Sequence, residues 1–250
     1  MWGSLQQNTV WRERNYKKSK ILTPDFRGQV VRLYMLKSSF DKTEHNIFPI
    51  TDGVWRIFVP FEDLFTTVYV EKRDTGVGII DSATYSSDVD DYILPALCAL
   101  GIDPDTVEYI ALTHTHTDHA GGAQRLAEIC KNARVYAHPC EENAAFLPIC
   151  DGEVVGGFTV VHLPGHTKGT VAFLDRRERI LLSGDCLQLG GVGKYRSGVV
   201  FREDYLSSVR KLKAMDIRAI VAAHEYDPLG STAIGRDAVK RYLDECERLA

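Results

Sequence analysis

The sequence lacks several features that define large classes of protein. None of its 250 residues lies in an uninterrupted apolar stretch of the ~18 residues that a membrane span requires. The first twenty residues contain no apolar core of the kind found in secretory signals. Basic residues are not in excess, since 30 Lys and Arg face 34 Asp and Glu, and this argues against a nucleic-acid-binding face. We therefore expect a cytoplasmic protein that binds neither membranes nor nucleic acid.

Cysteine is sparse, and no two of the six cysteines form a CxxC pair. A chain of this length can bury roughly 70–75% of the surface that it exposes when unfolded, so it needs no disulfide staples. Hydrophobic residues make up 44% of the chain and charged residues 26%, as in ordinary soluble domains. The cysteines are therefore expected to be reduced.

The N-terminal segment differs in composition from the rest of the chain. Residues 1–28 contain a cluster of basic side chains together with Trp2 and Trp11. Terminal charge runs are usually solvated, which favours a free arm. The alternative is that the tryptophans pack on a neighbouring subunit, in which case the protein is a homodimer. We expect an arm over residues 1–28 and a single domain over residues 29–250.

The hydrophobic pattern changes along the chain. Its first part predicts consecutive strands over residues 30–36, 53–60, 66–71 and 77–80. Its later part alternates between strands (107–112, 134–137, 158–163, 170–174, 180–182, 219–222) and helices (88–100, 122–130, 141–146, 202–215, 231–249). Pro95 argues against an unbroken first helix. Such a pattern predicts an α/β fold in which layered sheets carry helices on their outer faces.

Residues that can bind a metal follow several of the predicted strands. His114 and His116 lie two apart, so they face the same side if the chain is extended, and Asp118 shares that phase. His119 requires a bend, which the following Ala-Gly-Gly sequence permits. Histidine and carboxylate side chains packed together without a metal would be costly to desolvate. The cluster therefore predicts a metal site, with zinc as the first choice and iron or manganese as alternatives.

These motifs resemble those of a known family. The sequence His114-x-His116-x-Asp118-His119, followed by two glycines, is similar to the signature of the metallo-β-lactamase fold superfamily. The other motifs of that superfamily follow in the expected order, at Ile80-Asp81, Leu163-Pro164-Gly165-His166, Ser183-Gly184-Asp185 and Ala223-His224. The resemblance extends from about Gly53 to the end of the chain.

The resemblance implies a four-layer αβ/βα sandwich of two mixed β-sheets, with two divalent metal ions at one edge. It implies that the first ion is held by His114, His116 and His166, and the second by Asp118, His119 and His224. Asp185 would bridge the ions, and Asp81 would orient ligating histidines through hydrogen bonds.

The resemblance also implies an activity. A hydroxide held between the two metals would attack a small ester, lactone or thioester, and Asp118 would pass its proton to the leaving group. The presence of Asp185 argues against a true β-lactamase, which lacks the bridging aspartate. The short segment between Asp185 and His224 leaves no room for a nuclease clamp domain.

Three residues are candidate contacts for the substrate. Lys194 and Tyr195 follow a glycine-rich stretch that is similar to the substrate-binding segment of glyoxalase II, although a solvated loop is the alternative. Few residues follow His224, whereas glyoxalase II carries a C-terminal helical domain, and this weakens the case for glutathione thioesters. Tyr226 could donate a hydrogen bond to a reaction intermediate or could simply pack its loop.

Three other functions remain open. The same metals could hydrolyse a phosphodiester. The resemblance also allows a single iron, held by His114, His166 and Asp185, that oxidises a persulfide. The chain could also hold metals as a scaffold without turnover.

Overall fold

The computed structural model describes residues 20–24, 30–34, 46–61, 64–141, 145–187, 199–226 and 229–250. Trp2, Trp11, Lys194 and Tyr195 lie outside these ranges, so the expectations that concern them stay predictions. Strand β1 (Lys20–Pro24) pairs antiparallel with β2 (Val30–Tyr34). This pairing crosses the expected boundary between arm and domain at residues 28 and 29.

The first large sheet has seven strands that follow one another in sequence and in space. They are β3 (Ile47–Thr51), β4 (Val54–Phe61), β5 (Leu64–Arg73), β6 (Gly76–Ile80), β7 (Tyr109–Ala111), β8 (Arg134–Ala137) and β9 (Leu147–Pro148). Strands β3 to β6 pair antiparallel, and β6 to β9 pair parallel. The sheet is therefore mixed.

The second large sheet has six strands, also in sequence order. They are β10 (Val154–Val155), β11 (Phe158–His162), β12 (Val171–Asp175), β13 (Ile180–Gly184), β14 (Ala219–Ala222) and β15 (Thr232–Ile234). Only β13 and β14 pair parallel. This sheet is mixed as well.

The helices are short near the first sheet and longer near the second. They are α1 (Ser86–Asp88), α2 (Leu94–Ala99), α3 (Thr117–Ala120), α4 (Ala123–Ile129), α5 (Arg202–Lys213) and α6 (Arg236–Leu249). A π-helical turn at Val89–Ile93 joins α1 to α2, and 3₁₀ turns occur at Pro104–Thr106 and Pro139–Glu141. Among the described residues, no helix combines the length and apolar character needed to cross a bilayer.

Alternation along the strands distributes apolar side chains between three cores. In β5, Tyr69 points into the core between the two sheets, whereas Val68 and Val70 face the core under α2 and α4. In β13, Leu182 faces the other sheet and Leu181 packs in the core that holds α5 and α6. Successive side chains of a strand point to opposite faces, so each sheet buries both faces. The predicted four-layer αβ/βα sandwich is confirmed.

Pro95 is accommodated where the sequence pattern expected a break. It lies just after the π-helical turn Val89–Ile93, inside a run of helical residues, and the wider π turn is where the regular ladder of helical hydrogen bonds changes. Gly101 has a φ of +63° and ends the helix, with Ile102 N donating to Leu97 O at 2.8 Å. The helical segment therefore continues past the proline.

Two expected helices are wrong in part. The pattern over 231–249 predicts one helix, but Thr232–Ile234 forms β15 and pairs antiparallel with β14. Pairing at the sheet edge outweighs the local helical preference there. The helix expected over 141–146 is absent from its described residues, where Glu141 ends a 3₁₀ turn.

Candidate metal centre

The candidate site lies at one edge of the sandwich, where strands of both sheets end. Asp81 follows β6 directly, and Asp185 follows β13. His224 lies two residues after β14, and His166 lies between β11 and β12. Carboxyl ends of parallel strands meet at the same edge of a sheet, which explains why distant motifs converge here.

The segment from His114 to His119 changes conformation in its middle. His116 has extended backbone angles (φ −62°, ψ 150°) and is the N-cap of α3. The expected bend therefore occurs at Thr117, before Asp118, and not at His119. The alternation of an extended chain therefore ends before Asp118. The expectation that Asp118 points to the same side as His114 and His116 is wrong.

Gly121 and Gly122 follow this turn and pack against the backbone after β6. A Cβ atom added to Gly121 would lie 1.8 Å from Thr84 O, and one added to Gly122 would lie 2.2 Å from Ser82 O. Their φ angles are −64° and −87°, which any residue can adopt. The glycines are thus required for close approach of two loops and not for an unusual backbone angle.

The first group of donors consists of three histidines. Ligand atoms of His114, His116 and His166 all lie within 4.8 Å of one another. His116 Nδ1 lies 2.8 Å from His166 Nε2. His114 Nδ1 lies 3.1 Å from Thr113 Oγ1, whereas His114 Nε2 is buried without a hydrogen-bond partner among the described residues. A buried nitrogen without a partner is costly, so this atom fits a metal ligand.

The second group of donors combines two histidines with two carboxylates. Ligand atoms of Asp118, His119, Asp185 and His224 also lie within 4.8 Å of one another. His224 Nε2 lies 3.1 Å from Asp118 Oδ2 and 3.3 Å from His119 Nε2. Three of these four side chains are almost fully buried, and Asp118 is the most open at 17% exposure.

Asp185 lies between the two groups and directs one oxygen to each. Its Oδ1 lies 3.3 Å from His119 Nε2 and 3.4 Å from His224 Nε2, in the second group. Its Oδ2 lies 3.5 Å from His166 Nε2, in the first group. A carboxylate in this position has the geometry of a bridge between two cations.

Hydrogen bonds from outside the groups fix the orientation of the imidazoles. His119 Nδ1 lies 2.8 Å from Asp81 Oδ2, and His224 Nδ1 donates to Phe65 O at 2.7 Å. Asp81 also accepts from the main-chain N–H of Thr113 at 2.7 Å. These contacts occupy Nδ1 of both rings and direct Nε2 inward, which is the usual support for metal-ligating histidines.

The charges of the site call for a cation. Burial, together with neighbouring imidazoles, holds the pKa of His114 well below its ordinary value, so this ring is neutral and its lone pair is free. Burial lowers the pKa of His119, but the carboxylates of Asp185, Asp81 and Asp118 outweigh that effect and raise it well above its ordinary value. Nitrogen and carboxylate donors with excess negative charge fit divalent metal ions.

Tyr226 has a different contact from the one expected at a reaction intermediate. Its side chain is fully buried, and its hydroxyl donates to Asp185 Oδ1 at 2.9 Å. The hydroxyl therefore orients the carboxylate between the two groups, and burial keeps it away from solvent. Tyr226 thus lies behind the donor groups and not in the open part of the site.

Sequence reasoning missed two residues that support the site. Thr113 Oγ1 donates to Asp81 Oδ2 at 2.9 Å, and its position immediately before His114 is a signal that could have been used. Glu141 Oε2 accepts from the main-chain N–H of Thr115 at 2.7 Å. Nothing in the sequence around Glu141 indicates this contact, because it joins segments 26 residues apart.

Comparisons with known proteins agree with this geometry. The model of the Metallo-beta-lactamase superfamily matches residues 62–142 and 149–224. A hydroxyacylglutathione hydrolase of Francisella philomiragia subsp. philomiragia is 37% identical over 117 residues, which cover 44% of this chain and 46% of that protein. The corresponding protein of Francisella tularensis subsp. novicida has the same identity and coverage. The chain thus spans about half the length of the curated relatives it matches.

Solved structures show the same fold at low sequence identity. A metallo-beta-lactamase family protein of Thermus thermophilus superposes with a TM-score of 0.63 at 22% identity, over 79% of each chain. A flavo di-iron protein of Thermotoga maritima gives a TM-score of 0.63 at 16% identity, over 80% of this chain and 60% of its own. With the two donor groups and the match over most of the domain, these likenesses lead to one conclusion: the chain belongs to the metallo-beta-lactamase superfamily.

Proposed function

We propose that this protein is a metal-dependent hydrolase that cleaves a thioester, ester or lactone bond in a small molecule. The observation that carries the proposal is the pair of donor groups with one Asp185 oxygen directed to each. The names of the curated relatives, hydroxyacylglutathione hydrolases, favour a thioester within this class.

In this proposal His114, His116 and His166 would hold one ion, Asp118, His119 and His224 would hold the other, and Asp185 would contribute a carboxylate to both. Zinc is the expected metal, with iron and manganese as alternatives. When bound, two divalent ions would supply a nucleophilic hydroxide near neutral pH and would polarise the carbonyl under attack.

Asp118 is the residue of this set best suited to move a proton. Its side chain is 17% exposed, whereas those of His119, Asp185 and His224 are at most 4% exposed. One oxygen lies near His224, and the main-chain carbonyl of Asp118 accepts from Thr66 Oγ1 at 3.0 Å, which fixes the turn. Asp118 would accept the proton of the attacking nucleophile through its carboxylate and would deliver it to the leaving sulfur or oxygen.

An aromatic side chain lies near one histidine of the second donor group. The ring of Phe61, at the end of β4, is centred 6.0 Å from the ring of His224 and is only partly buried. An apolar wall next to polar donors is the usual composition of a pocket for a small molecule. Phe61 would therefore contact the acyl part of the substrate and help to exclude water.

The test is a substrate panel with the full-length, zinc-reconstituted protein. We expect hydrolysis of hydroxyacyl thioesters, aryl esters or lactones to exceed that of bis-p-nitrophenyl phosphate. Asp118→Asn should lower kcat by about 10²–10⁴-fold, the usual contribution of a proton-transferring side chain. Glu128→Gln, on an exposed surface of α4, is the matched control and should leave kcat unchanged.

Three results would overturn the proposal. Faster turnover of the phosphodiester would assign a phosphodiesterase, and oxygen consumption with a persulfide by the iron-loaded protein would assign an iron-dependent oxidation. Absence of turnover across the panel, with two ions bound, would leave a metal-holding scaffold.

A further inference from the structure

Glu141 makes a set of contacts that joins the loops of all three histidines in the first donor group. Its Oε2 accepts from both the main-chain N–H and the hydroxyl of Thr115, each at 2.7 Å. Thr115 lies between His114 and His116. The Oε1 atom of Glu141 accepts from the hydroxyl of Thr167, which directly follows His166. One carboxylate thus spans two loops that the chain separates by some fifty residues.

The loop after His166 is shaped to receive this carboxylate. A Cβ atom added to Gly169 would lie 2.6 Å from Glu141 Oε1 and 2.7 Å from its Cγ, so only glycine allows the approach. Thr167 is itself held by Thr170, whose Oγ1 accepts from Thr167 N at 2.9 Å. The carboxylate therefore meets a preformed pair of donors and not a mobile surface.

The second donor group is supported by hydrogen bonds that do not involve Glu141. Its histidines are held by Asp81 and the carbonyl of Phe65, and Asp81 is held in turn by Thr113. Among the described residues, these hydrogen bonds share no residue with those that Glu141 makes to Thr115 and Thr167. The two sets are linked through Thr113, whose hydroxyl lies 3.1 Å from His114 Nδ1 and also donates to Asp81, but Glu141 contacts only the loops of the first group. Changes at Glu141 should therefore act mainly on the first donor group.

We propose that Glu141 is a positioning residue that sets the spacing of His114, His116 and His166 and so determines the affinity of the first metal ion. The inference rests on the proposed function only through the metal centre, since it concerns ion binding and not the bond that is cleaved. Partners of this kind typically change metal affinity about 10–100-fold when they are removed.

Glu71 provides a matched control elsewhere in the sandwich. Its carboxylate also joins the two sheets, accepting from Tyr109 Oη at 2.6 Å, Thr75 Oγ1 at 2.8 Å and Gly157 N at 3.0 Å. It lies on β5 away from the donor groups. Loss of Glu71 should lower stability without separating the affinities of the two ions.

The experiment is a titration of the metal-free, full-length protein with zinc against a chromophoric chelator, which yields two dissociation constants. Glu141→Ala should raise one constant about 10–100-fold and change the other by less than about threefold. Thr167→Val should raise the same dissociation constant by a smaller factor. Thr75→Val should raise neither of the two dissociation constants. Thermal unfolding of the metal-free proteins reports any general loss of structure.

Paired substitutions identify the affected group. In a His224→Ala background, Glu141→Ala should still weaken the remaining ion, whereas in a His116→Ala background it should have little effect. Equal changes in both constants, or no change in either, would overturn the inference. Two tightly bound ions without hydrolysis would instead overturn the proposed function and leave this inference intact.

Discussion

At the scale of the residue, the contact between Tyr226 and Asp185 shows how a buried hydroxyl can orient a carboxylate of the donor groups without itself being a metal donor. Burial and the neighbouring Asp185 carboxylate raise the pKa of Tyr226 well above its ordinary value. The hydroxyl therefore keeps its proton near neutral pH and donates a hydrogen bond to Asp185 Oδ1.

Removal of that donor should cost stability. Tyr226→Phe keeps the ring and deletes a hydrogen bond to a charged group, so we expect the free energy of unfolding to fall by about 1.5–3 kcal/mol. Urea denaturation of the metal-free protein measures this change.

Tyr242→Phe is the matched control, because among the described residues the hydroxyl of Tyr242 has a single, long contact, 3.4 Å to Gly230 O. It should lower the free energy of unfolding by less than Tyr226→Phe does. Equal losses in the two variants would contradict the special role of the Asp185 contact.

At the scale of the element, the packing of the loop after β6 against the start of α4 fixes where the second donor group lies. Ser82 N donates to His119 O at 2.7 Å, and Ser82 Oγ donates to the same carbonyl at 2.9 Å. Gly122 allows this approach, since a Cβ atom there would also lie 2.7 Å from Val89 Cγ2. The loops are in contact along their backbones.

A methyl group at this position should separate the loops. Gly122→Ala places carbon against the main chain of Ser82, so we expect the overpacking to lower the free energy of unfolding by about 1–3 kcal/mol. Chemical denaturation measures the free energy of unfolding, and zinc titration should show weaker binding of one ion.

Gln124→Ala, two residues further along on the exposed side of α4, is the control and should be nearly neutral. If the Gly122→Ala variant had the same free energy of unfolding as the native protein, the loops would be able to move apart at little cost.

The sequence predicts best those features of the structure that depend on residues close together in the chain. Strand ends and ordered motifs predicted which side chains meet, because a strand delivers its next residue to a defined edge. The start of α3 at Thr117, the strand at Thr232–Ile234 and the contacts of Glu141 and Tyr226 were not predicted. Each depends on a partner far away in the chain, and tertiary contacts of that kind leave no local pattern.

At the scale of the whole molecule, the two large sheets are built from separate and consecutive parts of the chain. Strands β3 to β9 occupy residues 47–148, and β10 to β15 occupy residues 154–234. His114 and His116 come from the first part and His166 from the second, whereas Asp118 and His119 come from the first part and Asp185 and His224 from the second. Each donor group therefore needs both sheets.

Metal binding should consequently stabilise the assembled sandwich. An ion that binds only the folded state at a free concentration of 100 Kd adds about 2.7 kcal/mol to the free energy of unfolding. We expect zinc to raise the thermal midpoint of the chelator-treated protein, as measured by calorimetry.

Calcium at the same concentration is the control, because it prefers oxygen ligands and these donors are mostly imidazole nitrogens. An equal rise with calcium, or none with zinc, would argue against a site closed by both sheets.

The turn at Asp151–Gly152 has a further consequence. It is exposed, it joins the two sheets, and a side chain at Gly152 would meet open space. Each donor group takes its side chains from both sides of this turn, so an ion held by a full group would link the chain before the turn to the chain after it.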